Sequence, residues 1–142
     1  MSSIKKYAIE ETTVHHLRDG NDELMYADGQ DGKPDLTKPM RVNLYGPGSK
    51  NHARARASAG NRAMDRFKKK GKSDQTHEEQ IEETARFLTA CTKSMENVEY
   101  EEMSGEAMYK AIYSDLELCF IPQQLDKILG VTSNFTKAST TI

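Results

Sequence analysis

VNLYGPGSKNHARARASAGNRAMDRFKKKGK, residues 42–72, is where the hydrophobic period of this chain changes. Leading into it, MRVNLY (Met40–Tyr45) sets Met40, Val42 and Leu44 against Arg41, Asn43 and Tyr45, the alternation of a half-buried strand. Past Gly46-Pro47-Gly48 the spacing becomes three and four, and Ala53, Ala57, Gly60, Met64 and Phe67 form one helical stripe. Ser49 is placed to cap that helix and Gly71 to end it, with lysines in the last turn where the helix dipole favours cations. The stripe is narrow at its alanine end and bulky at Phe67, so its small residues would let a neighbouring helix approach closely. Gly46-Pro47-Gly48-Ser49-Lys50 is too short for the GxxxxGK[ST] phosphate loop, and Pro47 lacks one of the backbone donors such a loop needs. No glycine follows Gly48 at dinucleotide-fingerprint spacing, so the segment reads as a sharp turn feeding a capped helix.

Working outward from this stretch, residues 1–10 read as a frayed polar arm. TTVHHLR (Thr12–Arg18) has the β-branched character of a strand, Asp19-Gly20-Asn21-Asp22 is a turn signal, and ELMY (Glu23–Tyr26) is a second short strand. ADGQDGKPDLTKP (Ala27–Pro39) gathers Gly, Pro and Asp and is expected to be a long flexible loop. On the other side, Thr76 with Glu79 spells a capping box. It opens a helix whose buried stripe would run Ile81, Thr84/Ala85, Leu88, Cys91/Thr92 and Met95. After a polar link at Glu96–Met103, Ser104 can cap a helix carrying Ala107, Met108, Ala111 and Ile112. Ser114 with Glu117 suggests another capping box, and Pro122 opens a last helix through Leu125, Ile128 and Leu129 to Gly130. Residues 131–142 read as a disordered tail. The expected class is mainly α (α+β), in one domain over 1–142. A short N-terminal β-hairpin or meander (1–45) leads into a bundle of four to five helices (49–130).

The chain has 142 residues, enough for one modest core. At 36% hydrophobic and 30% charged, with a mean hydropathy of −0.78, it is polar for a self-sufficient globule. Some surface is therefore expected to be buried against a partner or against copies of itself. No apolar run reaches the roughly 18–20 residues that span a bilayer, and MSSIKKYAIEETT lacks the apolar core of a secretory signal. Cys91 and Cys119 sit in helix-like apolar patterns, show no CxxC spacing, and read as two reduced, buried thiols of a cytoplasmic protein.

A net charge of −2 conceals strong segregation. Lys50, Arg54, Arg56, Arg62, Arg66, Lys68, Lys69, Lys70 and Lys72 are offset in their own span by Asp65 alone, whereas Asp74–Glu106 sets ten acids against Arg86 and Lys93. Such halves can pair within one subunit or between neighbours stacked head to tail. The candidate interface is Ala53, Ala57 and Gly60 with flanking Arg54, Arg56 and Arg62, facing Glu78, Glu79, Glu82 and Glu83. A basic strip of this kind can also neutralise phosphates, but no interleaved aromatics offer stacking platforms for bases. His15 and His16 are adjacent and would point to opposite faces of a strand, His52 and His77 sit at helix starts, and neither cysteine has a histidine at suggestive spacing. The carboxylates lack the enclosing apolar walls that acid–base work requires. The residues therefore suggest no catalytic, metal or cofactor site, and a protein that is not an enzyme.

Taken together, TTVHHLRDGNDELMY, MRVNLYGPGSKNHARARASAGNR, HEEQIEETARFLTACTKSMENVEYE and YSDLELCFIPQQLDKIL resemble the tail assembly chaperones of long-tailed, non-contractile (siphovirus-type) bacteriophages and prophages. The resemblance covers most of residues 12–130 and carries no catalytic signature. It implies a mainly α-helical protein of the host cytoplasm, not expected in the mature virion. Such a protein self-associates and coats the tape-measure protein, keeping that partner soluble while the tail tube assembles around it. It also implies a longer, frameshifted product that contacts the tail-tube protein. Segregated charge suits head-to-tail stacking, which gives an open spiral where rotation does not close a ring. Two alternatives stand beside it: a small nucleic-acid-binding regulator using the basic helix 50–72, and a minor virion tail component.

Overall fold

In the computed structural model, which describes residues 3–71 and 75–137, strands come first and helices follow. The order is β1 (Thr12–His16), β2 (Tyr26–Asp28), β3 (Pro34–Pro39), β4 (Arg41–Tyr45), α1 (Lys50–Lys70), α2 (His77–Cys91), β5 (Thr92–Glu96), α3 (Gly105–Ser114) and α4 (Phe120–Leu129). β4 is the centre of a three-stranded antiparallel sheet, with β1 on one edge and β5 on the other, and β2 pairs with β3 in a separate hairpin. The alternation read at 40–45 places Val42 and Leu44 fully inside, while Arg41, Asn43 and Tyr45 are half-buried. α2, α3 and α4 pack around this strand. Leu88 and Cys91 of α2, Ile112 and Tyr113 of α3, and Ile121 and Leu125 of α4 all lie in one core with Leu17.

The expected class, mainly α, is corrected by this arrangement. The chain is α+β, with 52% of the described residues helical and 20% in strands arranged in two small sheets. The deciding element is β5, inside the segment read as helix and polar link. Met95 fits the helical spacing after Cys91, yet the helix stops at Cys91 because Thr92 turns extended (ψ 117). Thr92 Oγ1 donates to the Leu88 carbonyl at 2.7 Å, satisfying an acceptor of the last helical turn. β4 would otherwise leave one edge of backbone donors and acceptors unpaired, and β5 supplies their partners, Met95 lying opposite Val42.

The loop expected at 27–39 is instead the β2–β3 hairpin. Its turn is closed by the Gly29 N–H on the Lys33 carbonyl (2.8 Å) and the Gly32 N–H on the Gly29 carbonyl (3.0 Å). Gly32 takes φ +76, which glycine adopts without strain, and the two prolines that argued against a strand sit at the ends of β3. The strand read at Glu23–Tyr26 lies further on, as the single bridge Arg18–Leu24 and then β2.

The tail read as disordered from residue 131 is ordered as far as it is described. Thr132–Phe135 forms a 3-10 turn, and Phe135 is fully buried. Its ring occupies the space where a Cβ on Gly46 would stand, and the Phe135 carbonyl accepts from the Glu10 N–H at 2.7 Å. The glycine-proline-glycine turn is thus a packing site: Gly46 admits Phe135, and a Cβ on Gly48 would lie 3.1 Å from Ile9 Cγ1. Lys72, Asp74 and residues 138–142 lie outside the described residues. The second capping box does not form either. Asp115 caps the turn at Leu116–Leu118 instead, while Ser114 Oγ donates to the Lys110 carbonyl at 2.8 Å.

Candidate functional site

α1 is anchored at its start. Ser49 Oγ accepts from the His52 N–H at 3.1 Å and donates to the Gly46 carbonyl at 2.7 Å, tying the cap to the turn. His52 and Ala55 enter the core, the His52 ring standing edge-on to Phe87 at 5.8 Å. Burial, reinforced by Arg56, holds the His52 imidazole below its usual pKa and so favours the neutral ring. From there the inner face continues through Ala59, Arg62, Ala63 and Arg66, all half-buried. At its far end Gly71 closes the helix with φ +68, its N–H donating to the Phe67 carbonyl.

The basic helix meets the acidic helix inside this chain. Arg62 grips Glu83 in a two-pronged bond, Nη2 to Oε1 at 2.7 Å and Nε to Oε2 at 2.9 Å, and Arg66 Nη1 reaches the same carboxylate at 3.4 Å. One turn on, Lys70 Nζ lies 2.8 Å from Glu79, which also completes the Thr76 capping box. The hydrogen bonds from Arg62 and Lys70 hold the Glu83 and Glu79 carboxyls below the ordinary range, and Glu83 in turn raises the Arg62 guanidinium. Glu82 makes only a long, exposed contact to Lys110 of α3 (3.7 Å). Two residues of the expected interface, Arg62 and Glu83, are therefore brought together, and Glu79 joins the same seam through Lys70.

The others are not brought together. Ala53, Arg54, Arg56, Ala57 and Gly60 are exposed on α1, as is Glu78 on α2, and none of the five α1 residues faces an acid of α2. At about 100° per residue, the stripe Ala53–Ala57–Gly60–Met64–Phe67 lies roughly 130° round the helix from the inner face. Met64 and Phe67, the stripe's large members, remain 56% and 53% exposed. Gly60 has open space on every side of a notional Cβ, so nothing within the described residues requires a glycine there. It costs the helix about 1 kcal/mol relative to alanine. Arg66 and Lys70, read only as part of the basic strip and left out of the expected interface, belong to the seam. The signal lay in the matching four-residue spacings of the cations at 62, 66 and 70 and the acids at 79 and 83.

A second open surface is a cleft of about 540 Å³ between the start of α2 and the α3–α4 junction. Ile81, Leu116, Cys119 and Pro122 form its apolar floor, with His77, Asp115 and Asp126 at the rim. On the other side of α4, Gln124 clamps that helix to β1. Its Oε1 accepts from the Arg18 N–H at 2.9 Å and lies 2.8 Å from His15 Nε2, while its Nε2 donates to the Arg18 carbonyl. Burial, and the nearby charge of Arg18, lower the His15 pKa despite the Gln124 bond.

Compared with known proteins, the chain matches no family model, no curated protein and no solved structure.

Of the two cysteines expected to be buried, Cys119 is exposed and only Cys91 lies inside, where burial pushes its thiol up to about 12, far from a reactive thiolate. The His15 and His16 side chains engage Gln124 and the Met25 carbonyl, neither of them a nucleophile. His16 Nε2 donates to the Met25 carbonyl, on the opposite side from the His15 clamp. Among the described residues no group of three or more His, Cys, Asp and Glu is placed to hold a metal, and no helix is long and apolar enough to cross a membrane. What the chain offers most plainly is surface, an exposed apolar stripe on a well-capped helix with cations on both flanks.

Proposed function

We propose that the chain is an assembly chaperone of the phage-tail kind, which self-associates and holds the tape-measure protein soluble until the tail tube forms around it. The observation that carries this reading is the outward stripe of α1, where Met64 and Phe67 stand exposed in line with Ala53, Ala57 and Gly60. A helical, apolar client protein can lay its own apolar face along such a stripe, with Arg54, Arg56 and Lys68 at the edges steering acidic flanks. In this reading the protein acts by binding, in the cytoplasm of the host, and leaves before the virion is complete.

The seam between α1 and α2 favours this over nucleic-acid binding. Arg62, Arg66 and Lys70, three of the eight cations of α1, are committed to Glu83 and Glu79 and are withdrawn from the field that phosphates would meet. The test is co-expression with the tape-measure protein of the same phage. Wild-type chain should keep that protein in the soluble fraction and co-purify with it, and Met64→Ser/Phe67→Ser should fail to do so. A tape-measure protein that aggregates equally with and without the wild-type chain would overturn the reading. Recovery of the chain in purified particles would support a virion tail component instead.

A further inference from the structure

We infer that the outward stripe of α1 is self-complementary, and that two copies of the chain pair there with their α1 helices antiparallel about a two-fold axis at Gly60. The inference rests on reading this stripe as an interaction surface, and it adds the identity and register of one occupant.

Four observations converge on it. The stripe tapers from Ala53 and Ala57 through Gly60 to Met64 and Phe67, so only an antiparallel partner sets small residues against large ones along its whole length. With Gly60 opposite its own copy, Ala53 lies opposite Phe67 of the partner subunit and Ala57 lies beside Met64 of the partner subunit. Gly60 itself has nothing within 4 Å of a notional Cβ, so its lack of a side chain serves no contact within the chain. At the crossing point of two helices, that same lack allows the backbones to approach closely.

Charge fits the same register. Asp65 is the single acid of the basic helix, is exposed at the edge of the groove it lines with Arg62, Arg66 and Arg86, and makes no ion pair among the described residues. Arg54 is exposed and likewise unpaired there. Both lie on the same flank of the stripe, and antiparallel pairing about Gly60 brings Arg54 of each copy alongside Asp65 of the partner subunit, twice by symmetry. On the other flank Arg56 comes beside Phe67 of the partner subunit, a cation over an aromatic ring. A parallel pair would instead set Phe67 against Phe67 and like charges against each other.

One helix pair is a small contact, so the dimer is expected to be weak and dependent on concentration. It is also closed: any longer spiral of copies needs a second surface, for which the cleft lined by Ile81, Leu116 and Pro122 is available.

Cysteine pairing tests the register in the full chain, with the exposed Cys119 replaced by Ser and the buried Cys91 retained. Under mild oxidation Gly60→Cys should form a covalent dimer at least about tenfold faster than Ser58→Cys on the flank, because a disulfide needs Cα atoms within about 7 Å. Ala53→Cys and Phe67→Cys should cross-link poorly alone and readily when mixed. Gly60→Leu, which meets open space and so should fold, should raise the dimer dissociation constant at least about tenfold in sedimentation experiments. Equal rates for Gly60→Cys and Ser58→Cys, or a wild-type sedimentation profile for Gly60→Leu, overturn the pairing. If the tape-measure protein is still held soluble in that case, the chaperone reading stands and only the pairing falls. A chain that cross-links at Gly60 yet leaves the tape-measure protein insoluble separates the two the other way.

Discussion

Helices α1 and α2 lie side by side and are held in different ways. α2 spends 15 residues to bury Ala85, Leu88 and Cys91 completely, whereas α1 spends 21 residues and buries only His52 and Ala55, both near its start. At about 1.5 Å per residue, α1 outruns its neighbour by two turns or so. α2 belongs to the core. α1 is a capped rod, fixed at one end by packing and along its length by a salt-bridged seam, with its outward stripe uncovered. A helix this long and this little buried draws little stability from the body, so its exposed Met64 and Phe67 are better explained by what they meet outside the chain.

The largest effects are expected on the buried side of this divide. Phe135→Ala should cost about 3–5 kcal/mol and Leu88→Ala about 2–5 kcal/mol, read from urea unfolding, because both leave cavities in a closed core. If Phe135→Ala were neutral, the ordered end at 132–135 would not be part of the fold. Gly46→Ala drives a methyl into the Phe135 ring and should cost about 1–3 kcal/mol, an overpacking penalty.

The seam comes next. Glu83→Gln should destabilise by about 1 kcal/mol and loosen α1 preferentially, which hydrogen exchange would show as faster exchange at 60–70 than in α2. pH probes the same contact. Because the folded-state pKa values of Glu83 and Glu79 are lowered, their contribution is present above the unfolded value of about 4.3 and is lost as pH falls through the folded values. His15 and His52, also lowered, add a loss that begins as pH drops through about 6.5. The smallest stability effect belongs to Met64→Ser/Phe67→Ser, expected within about 0.5 kcal/mol per residue. Contrast between that small change and a full loss of association would sharpen the division most.

Much of the fold was legible because local chemistry and tertiary packing agreed. Ser49, Gly71 and the Thr76–Glu79 box mark their helix ends as expected, and Val42 and Leu44 alternate into the core. The misreadings share one cause, which is that a single chain pattern fits two environments. Met95 satisfies a helical stripe and also a strand beside β4. The stripe at 53–67 has helical period, as does the true inner face at 52, 55, 59, 62 and 66, and periodicity cannot say which of two such faces is covered. Proline and glycine at 27–39 signalled a loop, yet they bound and turn a hairpin. Phe135 was invisible because its partner, Gly46, lies far away in sequence and is recognisable only by the room it leaves.

The most direct test of the exposed stripe is an oxidation footprint of the methionines under dilute peroxide, read by mass spectrometry across a range of protein concentrations and again with the co-expressed tape-measure protein. Met64 should oxidise quickly in dilute chain and several-fold more slowly once the stripe is covered, while Met103, also exposed but in the link before α3, keeps its rate. Equal oxidation of Met64 at every concentration and in the presence of the tape-measure protein would mean that nothing covers α1, and would contradict the account.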